Sequence, residues 1–102
     1  MSEKIYTIDE IKSVLKKVCK NFDVEKAILF GSYARNTQTE NSDIDIVIDS
    51  NGKLLNIYFY GLLEELVESL HKNVDLIEIS EIKKGSNIYK SIEKEGIVVY
   101  EK

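Results

Sequence analysis

The segment from Gly31 to Asp49 limits the possible folds more than any other part of this chain. It reads GSYARNTQTENSDIDIVID and follows a short apolar run, Ala27–Phe30, which is typical of a buried strand. The Gly31-Ser32 pair would end that strand. The residues Asp43–Asp49 then alternate between isoleucine and mostly acidic side chains, which predicts a second strand with one face in the core. A chain with these two strands needs other elements to cover them.

Periodicity in the rest of the chain predicts an α/β (α+β) fold, in which helices pack on a small mixed sheet. Thr7 and Glu10 form a T-x-x-E capping box before the first helix, and Gly96 follows the last helix as its C-cap. The predicted helices are Ile8–Lys20, Ser32–Asn36 with Ser32 as its N-cap, Leu54–His71 and Asn87–Glu95. The predicted strands are Ala27–Phe30, Asp43–Asp49, Val74–Ile79 and Ile97–Tyr100, in one domain over residues 1–102.

Composition limits the class of protein. The 102 residues carry a net charge of −4 and are 43% hydrophobic and 31% charged, which is typical of one globular domain with a modest core. The acidic balance does not favour direct binding of nucleic acid. The single cysteine, Cys19, excludes an internal disulfide, and no apolar run reaches the ~18 residues of a membrane span. Because the N-terminal residues are also polar, without a signal peptide, we expect a cytoplasmic protein that does not bind membranes.

Three carboxylates are the candidate catalytic groups. Asp43 and Asp45 are two positions apart on a predicted strand, so their side chains point to the same face. Their charges repel, and a hard divalent cation such as Mg²⁺ would relieve that repulsion. Asp75, near the start of another predicted strand, would complete a site for two metal ions. The alternative is that Asp43 and Asp45 belong to an ordinary solvated strand face, which is the commoner situation for this pattern alone.

The combined motif resembles the signature of the polymerase-β-like nucleotidyltransferases. In its small size the chain resembles their minimal nucleotidyltransferase (MNT) branch. That signature is a Gly-Ser pair, about ten residues, an Asp-x-Asp and a later acidic residue. The matching residues here are Gly31, Ser32, Asp43, Asp45 and Asp75, and the fuller GSYARN and SDIDI runs add Tyr33, Ala34, Arg35 and Ser42. Asn36 stands where the branch often has glycine. Since asparagine tolerates a left-handed backbone, we expect the turn to be kept.

The resemblance implies a Mg²⁺-dependent nucleotidyltransferase that uses ATP and releases pyrophosphate. Gly31 and Ser32 would bind the β- and γ-phosphates, and Asp43, Asp45 and Asp75 would be the catalytic residues that hold two Mg²⁺ ions. Arg35 would either contact the triphosphate or form an ion pair with Asp43 or Glu40. Similar small proteins are antitoxins that adenylylate a tyrosine of a HEPN-domain toxin, so the implied partner is such a toxin in a hetero-oligomer.

Two alternative functions remain open at this stage. The chain could be a non-catalytic antitoxin that neutralises its partner by contact, because the second long helix carries Leu54, Tyr58, Leu63 and Val67 beside its main apolar stripe. It could also transfer a nucleotide to a small molecule such as an aminoglycoside. Tyr33, His71 and Cys19 are expected to have structural roles.

Overall fold

Four strands form one sheet in the computed structural model, which describes residues 4–102: β1 (Lys26–Phe30), β2 (Ile44–Asp49), β3 (Val74–Glu78) and β4 (Ile97–Glu101). Their order across the sheet is β3-β2-β1-β4. β1 is antiparallel to both of its neighbours, whereas β2 and β3 are parallel. The sheet is therefore mixed, as the sequence predicts.

Helices cover both faces of this sheet. They are α1 (Ile8–Cys19), α2 (Ser32–Arg35), α3 (Ile57–Leu70) and α4 (Asn87–Glu95), and a short 3₁₀ turn, Ile79–Glu81, follows β3. α1 and α3 contact each other and pack on one face. The opposite face carries a smaller apolar cluster in which Phe30 and Val47 contact Ile92 of α4. The larger core lies under α1 and α3, and its fully buried strand residues are Ala27, Leu29, Ile44, Ile46 and Ile48.

The alternation in β2 assigns its side chains to these two faces. Ile44, Ile46 and Ile48 are fully buried in the larger core, and Val47 is buried on the opposite face. Asp45 and Asp49 share the face of Val47 because side chains alternate along a strand. The sequence pattern therefore predicts correctly that the isoleucines and the carboxylates of β2 lie on opposite faces, and the structure adds that the isoleucine face is the one under α1 and α3.

One local and one long-range contact hold the N-terminal segment of the described chain on the larger core. The Thr7–Glu10 capping box is confirmed, with Thr7 N donating to Glu10 Oε1 at 2.9 Å and Glu10 N donating to Thr7 Oγ1 at 3.1 Å. The Tyr6 hydroxyl donates to the Leu70 carbonyl at 2.6 Å and so connects the chain start to the end of α3. Cys19 is fully buried, and burial raises the pKa of its thiol to about 12, as expected for a packing residue.

The predicted start of the long helix is wrong. α3 begins at Ile57 and not at Leu54, because Asn56 has a left-handed φ of 52° that interrupts the helix. Leu54 is consequently buried in the preceding loop, whereas Leu55 is 58% exposed. The other boundary differences are of one residue each. Five residues belong to predicted elements but lie just outside the observed ones: Lys20, Asn36, Asp43, His71 and Ile79. Lys26 and Glu101 lie inside β1 and β4, one residue beyond the predicted strands. Among residues 4–102, no helix is long and apolar enough to cross a membrane.

Gly96 is required by packing. It is the C-cap of α4, as predicted, with an ordinary φ of −62°. A Cβ atom there would overlap the Ile92 carbonyl oxygen and lie 2.7 Å from Ile28 Cγ2. Gly61, inside α3, offers a contrast, since a Cβ there would lie at 3.6 Å from Phe22 Cε1, an ordinary contact.

We predict that Gly96→Ala lowers the free energy of unfolding by about 1–3 kcal/mol, because the added methyl forces α4 away from β1. The matched change Gly61→Ala should raise it by up to ~1 kcal/mol, since alanine is the better helix former. Urea unfolding of the two variants beside the parent chain measures both values. Equal effects of the two substitutions would contradict the packing at Gly96.

Candidate active site

Asp45 lies at the centre of the candidate site. It is the second residue of β2, and its neighbours across the sheet are Phe30 of β1 and Asp75 of β3. Because β2 and β3 are parallel and in register at this pair, the Asp45 and Asp75 side chains lie side by side on one face, on strands about 4.8 Å apart. The third acidic residue predicted from the sequence is thus brought next to the Asp-x-Asp motif.

The Asp45 carboxyl is held in an unfavourable environment for its charge. Its pKa is raised from an ordinary 3.8 to about 6, mainly by partial burial and then by the negative charges of Asp75 and Asp43, while Arg35 acts in the opposite sense. All three carboxylates are therefore close enough to interact electrostatically. A site of this kind is stabilised by any cation that binds between the carboxylates.

Asp43 lies in the loop just before β2 and is exposed. The loop is ordered by its own polar groups: Thr39 N donates to Ser42 Oγ at 2.9 Å and Ser42 N donates to the Thr39 carbonyl at 3.1 Å. The ammonium group of Lys72, a buried residue, donates to the Glu40 carbonyl at 2.8 Å. These contacts position the segment that carries Asp43. Sequence reasoning missed Lys72, because a bond between residues 32 positions apart leaves no local signal.

Gly31 joins the two halves of the motif. It lies between β1 and α2, and its backbone angles (φ 73°, ψ −150°) belong to a region that glycine alone adopts without strain. A Cβ atom at this position would overlap the Asp45 carboxylate and lie 3.1 Å from Asp45 Cγ. The Gly31 backbone therefore lies directly against the Asp45 side chain.

The turn after Gly31 presents possible phosphate-binding groups. Gly31, and not Ser32 as predicted, is the N-cap of α2, because only glycine adopts the backbone angles needed there. Ser32 is the first residue of α2, whose leading N–H groups have no partners within the helix. Asn36 ends α2 in the left-handed conformation (φ 59°, ψ 36°), so the predicted retention of this turn is confirmed. Tyr33 is buried in the larger core and packs there, as expected.

Arg35 pairs with a residue that the sequence did not indicate. Its Nη1 lies 3.3 Å from Oε2 of Glu95, near the end of α4. The predicted pairing with Asp43 or Glu40 is wrong, because α4 brings Glu95 next to α2 from 60 positions away. The guanidinium still lies close enough to Asp45 to lower its pKa, so a role of Arg35 near a bound triphosphate stays a prediction.

The carboxylate geometry fits a magnesium ion that is shared with a substrate. Within residues 4–102, no three acidic, histidine or cysteine side chains converge into a complete metal-binding cluster. Mg²⁺ commonly takes only one or two carboxylates from the protein and completes its octahedron with water and substrate phosphates. Asp45 and Asp75, adjacent and with a raised Asp45 pKa, supply such a donor set.

Comparison with known sequences identifies the family. Residues 11–99 match the family model described as the nucleotidyltransferase domain. A Methanocaldococcus jannaschii protein, provisionally named a protein adenylyltransferase, is 42% identical over 97 residues, covering 91% of this chain and 98% of that protein. The protein adenylyltransferase MntA of Thermococcus cleftensis is 35% identical over 97 residues, covering 91% of this chain and 96% of that protein.

Solved structures have the same fold. A chain in a crystal structure of a toxin–antitoxin with AMP-PNP superposes with a TM-score of 0.72 at 26% identity, covering 89% of this chain and 73% of that one. A chain in a complex of tri-AMPylated Shewanella oneidensis HEPN toxin with MNT antitoxin superposes with a TM-score of 0.66 at 21% identity, covering 93% and 73%. The family resemblance of the GSYARN and SDIDI motifs is confirmed: the chain belongs to the nucleotidyltransferase-domain family.

Proposed function

We propose that this protein is a Mg²⁺-dependent adenylyltransferase that transfers AMP from ATP to a hydroxyl group of a partner protein, and that it acts as the antitoxin of that partner. The observation that carries the proposal is the contact between Gly31 and the Asp45 side chain, which itself lies beside Asp75 on the neighbouring strand. In this proposal the Gly31 turn is the phosphate-binding element and the neighbouring carboxylates are the metal-binding groups, so the contact between them supports a shared site. The relatives named protein adenylyltransferase support AMP as the transferred group.

The Gly31-Ser32 turn binds the triphosphate in this proposal. Its free N–H groups and the Ser32 hydroxyl would donate hydrogen bonds to the β- and γ-phosphates. Arg35, four residues further on, would add a positive charge near the same phosphates, held in position by its ion pair with Glu95. These groups would orient the α-phosphorus toward the carboxylates.

The reaction is a displacement at the α-phosphorus of ATP. The acceptor hydroxyl oxygen forms a new bond to phosphorus, the bond from phosphorus to the oxygen bridging to the β-phosphate breaks, and pyrophosphate leaves with that electron pair. The hydroxyl proton passes toward Asp75, which is more exposed than its neighbour Asp45, and from there to solvent. The protein contributes mainly position and charge.

Asp43, Asp45 and Asp75 would hold the magnesium ions. When bound, Mg²⁺ supplies positive charge that neutralises the phosphates and the pyrophosphate leaving group. The unfavourable charge on Asp45 supports this assignment, since a cation relieves the repulsion among the three carboxylates.

The acceptor in this proposal is a tyrosine of a HEPN-domain toxin, as the motif resemblance implies. The chain is small and all of its described elements belong to one sheet with its covering helices. No separate unit among residues 4–102 is available to bind a small acceptor such as an aminoglycoside. A protein acceptor that brings its own binding surface fits this arrangement better.

Neutralisation by contact alone is the second candidate. The exposed apolar side chains of Leu55, Ile57, Tyr58 and Tyr60 favour it, because an exposed patch of this kind commonly marks a protein interface. The two candidates differ in one requirement, since only the transferase needs its carboxylates.

We predict that Asp43→Asn lowers AMP transfer by at least ~100-fold, the scale on which loss of one preorganised charged group slows a reaction. The assay uses ATP labelled on its α-phosphate, Mg²⁺ and the HEPN-domain partner, with label on the partner as the readout. Because Asp43 is exposed in a loop, its replacement should leave the free energy of unfolding unchanged.

Asp49→Asn is the matched control for that assay. Asp49 lies on the same face of β2 at its far end, and an asparagine oxygen can still accept the hydrogen bond from Asn51 N. Full transfer by Asp49→Asn, with the predicted loss by Asp43→Asn, supports the transferase. No transfer by the parent chain, with protection of cells by the Asp43→Asn variant, would instead establish neutralisation by contact.

We predict that Asp45→Asn stabilises the metal-free protein above pH 6. The folded protein holds the Asp45 proton with a pKa of about 6, whereas the unfolded chain has the ordinary 3.8. The contribution of this carboxyl to stability is thus present below pH 4 and is lost as the pH rises through 6. Partial exposure reduces the effect, so we expect a gain of roughly 1–2 kcal/mol at pH 7.5 and none near pH 4.

Urea unfolding of the parent chain and of Asp45→Asn at both pH values measures this difference. Added Mg²⁺ should stabilise the parent chain at pH 7.5 and have little effect on Asp45→Asn. A variant that is less stable than the parent chain at pH 7.5 without metal would contradict the unfavourable environment of Asp45.

A further inference from the structure

Four exposed apolar residues form a continuous ridge at the start of α3. Leu55, Ile57, Tyr58 and Tyr60 are 58%, 77%, 65% and 67% exposed, and we call this group the α3 ridge. They lie within six consecutive residues, whereas single exposed apolar residues elsewhere on the chain are scattered. A concentration of this kind marks a surface that is covered in the working protein.

Helical geometry shapes the α3 ridge. Successive residues of an α-helix are separated by about 100° around its axis. Phe59 packs against the larger core, so Ile57 points almost directly outward, and Tyr58 and Tyr60 point to opposite sides of it. The ridge therefore has an apolar crest with one tyrosine on each flank.

The flank of Tyr58 is basic. A groove of about 710 Å³ lies there, lined by Lys20, Lys53, Lys102 and Asp23. The three lysines come from three separate segments of the chain, and all are exposed. Within residues 4–102, none of them forms a salt bridge. The three positive charges outnumber the one negative charge of Asp23, so the groove is basic although the protein has a net charge of −4.

The flank of Tyr60 is acidic. A second groove, of about 340 Å³, is lined there by Glu78, Glu81, Ser50 and Ser80 together with Leu55. Glu78 is buried, and its Oε2 accepts a hydrogen bond from Ser50 Oγ at 2.7 Å. Glu81 is exposed and free to face another molecule. The α3 ridge thus separates a basic groove from an acidic one.

Both grooves lie away from the candidate active site. Ser50 and Lys53 follow the end of β2, and Glu78 ends β3, whereas Asp45 and Asp75 lie near the starts of these two strands. Asp45 and Asp49 are four residues apart, about 13 Å along a strand. A molecule bound to the α3 ridge would leave the carboxylates open.

We propose that the α3 ridge binds a second copy of this chain in a two-fold symmetric dimer. A surface that carries a basic flank and an acidic flank on either side of an apolar crest is complementary to itself. When two copies face each other across a two-fold axis parallel to the crest, each basic groove meets the acidic groove of its partner. An apolar centre with a polar rim is also the usual anatomy of a protein interface.

The charge arrangement gives a test that other occupants of the ridge would fail. Lys53→Glu places like charges opposite each other at both flanks of the dimer, and so does Glu81→Lys. Each single variant should therefore dimerise at least ~10-fold more weakly than the parent chain. When the two single variants are mixed, every facing pair again has opposite signs, so a mixed dimer should form. The double variant Lys53→Glu, Glu81→Lys should dimerise by itself for the same reason.

Analytical ultracentrifugation at up to about 100 μM protein and low salt measures these states. Lys90→Glu is the matched control, since it makes the same charge change on α4, at the opposite face of the sheet, and should leave the dimer intact. Ile57→Ser tests the crest and should weaken the dimer without affecting folding, because Ile57 is 77% exposed.

Three outcomes would overturn the proposal. If the parent chain stays monomeric at this concentration, the dimer is excluded, whether or not a different protein binds the ridge. If the two single variants do not form a mixed dimer when they are combined, the basic flank of one copy does not face the acidic flank of the other. If Lys90→Glu weakens the dimer as strongly as Lys53→Glu does, the dimer interface is not the α3 ridge. Loss of AMP transfer by Asp43→Asn bears on none of these, so the two proposals fail separately.

Discussion

The parallel pairing of β2 with β3 is the constraint on which the candidate site depends. It sets Asp45 beside Asp75 and so determines that two carboxylates share one face of the sheet. β1, on the other side of β2, delivers Gly31 to the same point. A shift of β3 by one residue would turn Asp75 to the opposite face, into the larger core. The larger core under α1 and α3 prevents that shift, because it fixes which face of each strand is buried.

The sheet also explains why the charged groups of the site are costly to the fold. Asp45 is partly buried between two strands and near two other carboxylates, which is unfavourable for a charged group. The remaining residues of β2 compensate through burial: Ile44, Ile46 and Ile48 are all fully buried. The strand that carries Asp45 is therefore also one of the most deeply packed parts of the molecule.

Much of this arrangement could be predicted from the sequence, because it depends on local patterns. The alternation in Asp43–Asp49 gave the correct faces of β2, and the T-x-x-E motif gave the correct start of α1. The left-handed turn at Asn36 followed from the known tolerance of asparagine. The family followed from the resemblance of the GSYARN and SDIDI motifs to a known signature. Each of these signals lies within about twenty residues of sequence.

The remaining features come from contacts between distant parts of the chain. The pairing of Arg35 with Glu95 depends on how α4 packs, and the bond from Lys72 to Glu40 depends on where α3 ends. No period or motif in the sequence encodes either contact. The late start of α3 has a local cause, the left-handed Asn56, but that residue type occurs inside helices often enough to give no clear signal.

The separation of the carboxylates from the α3 ridge has a consequence for assembly. Because α3 covers one face of the sheet and the carboxylates lie on the opposite face, two copies joined through their ridges would carry their carboxylates on the outside, pointing away from each other. Such a pair is bivalent. When one protomer has bound a target protein that is itself oligomeric, the second protomer is held near another subunit of that target. The effective concentration for the second binding event is then higher, although no new contact is made.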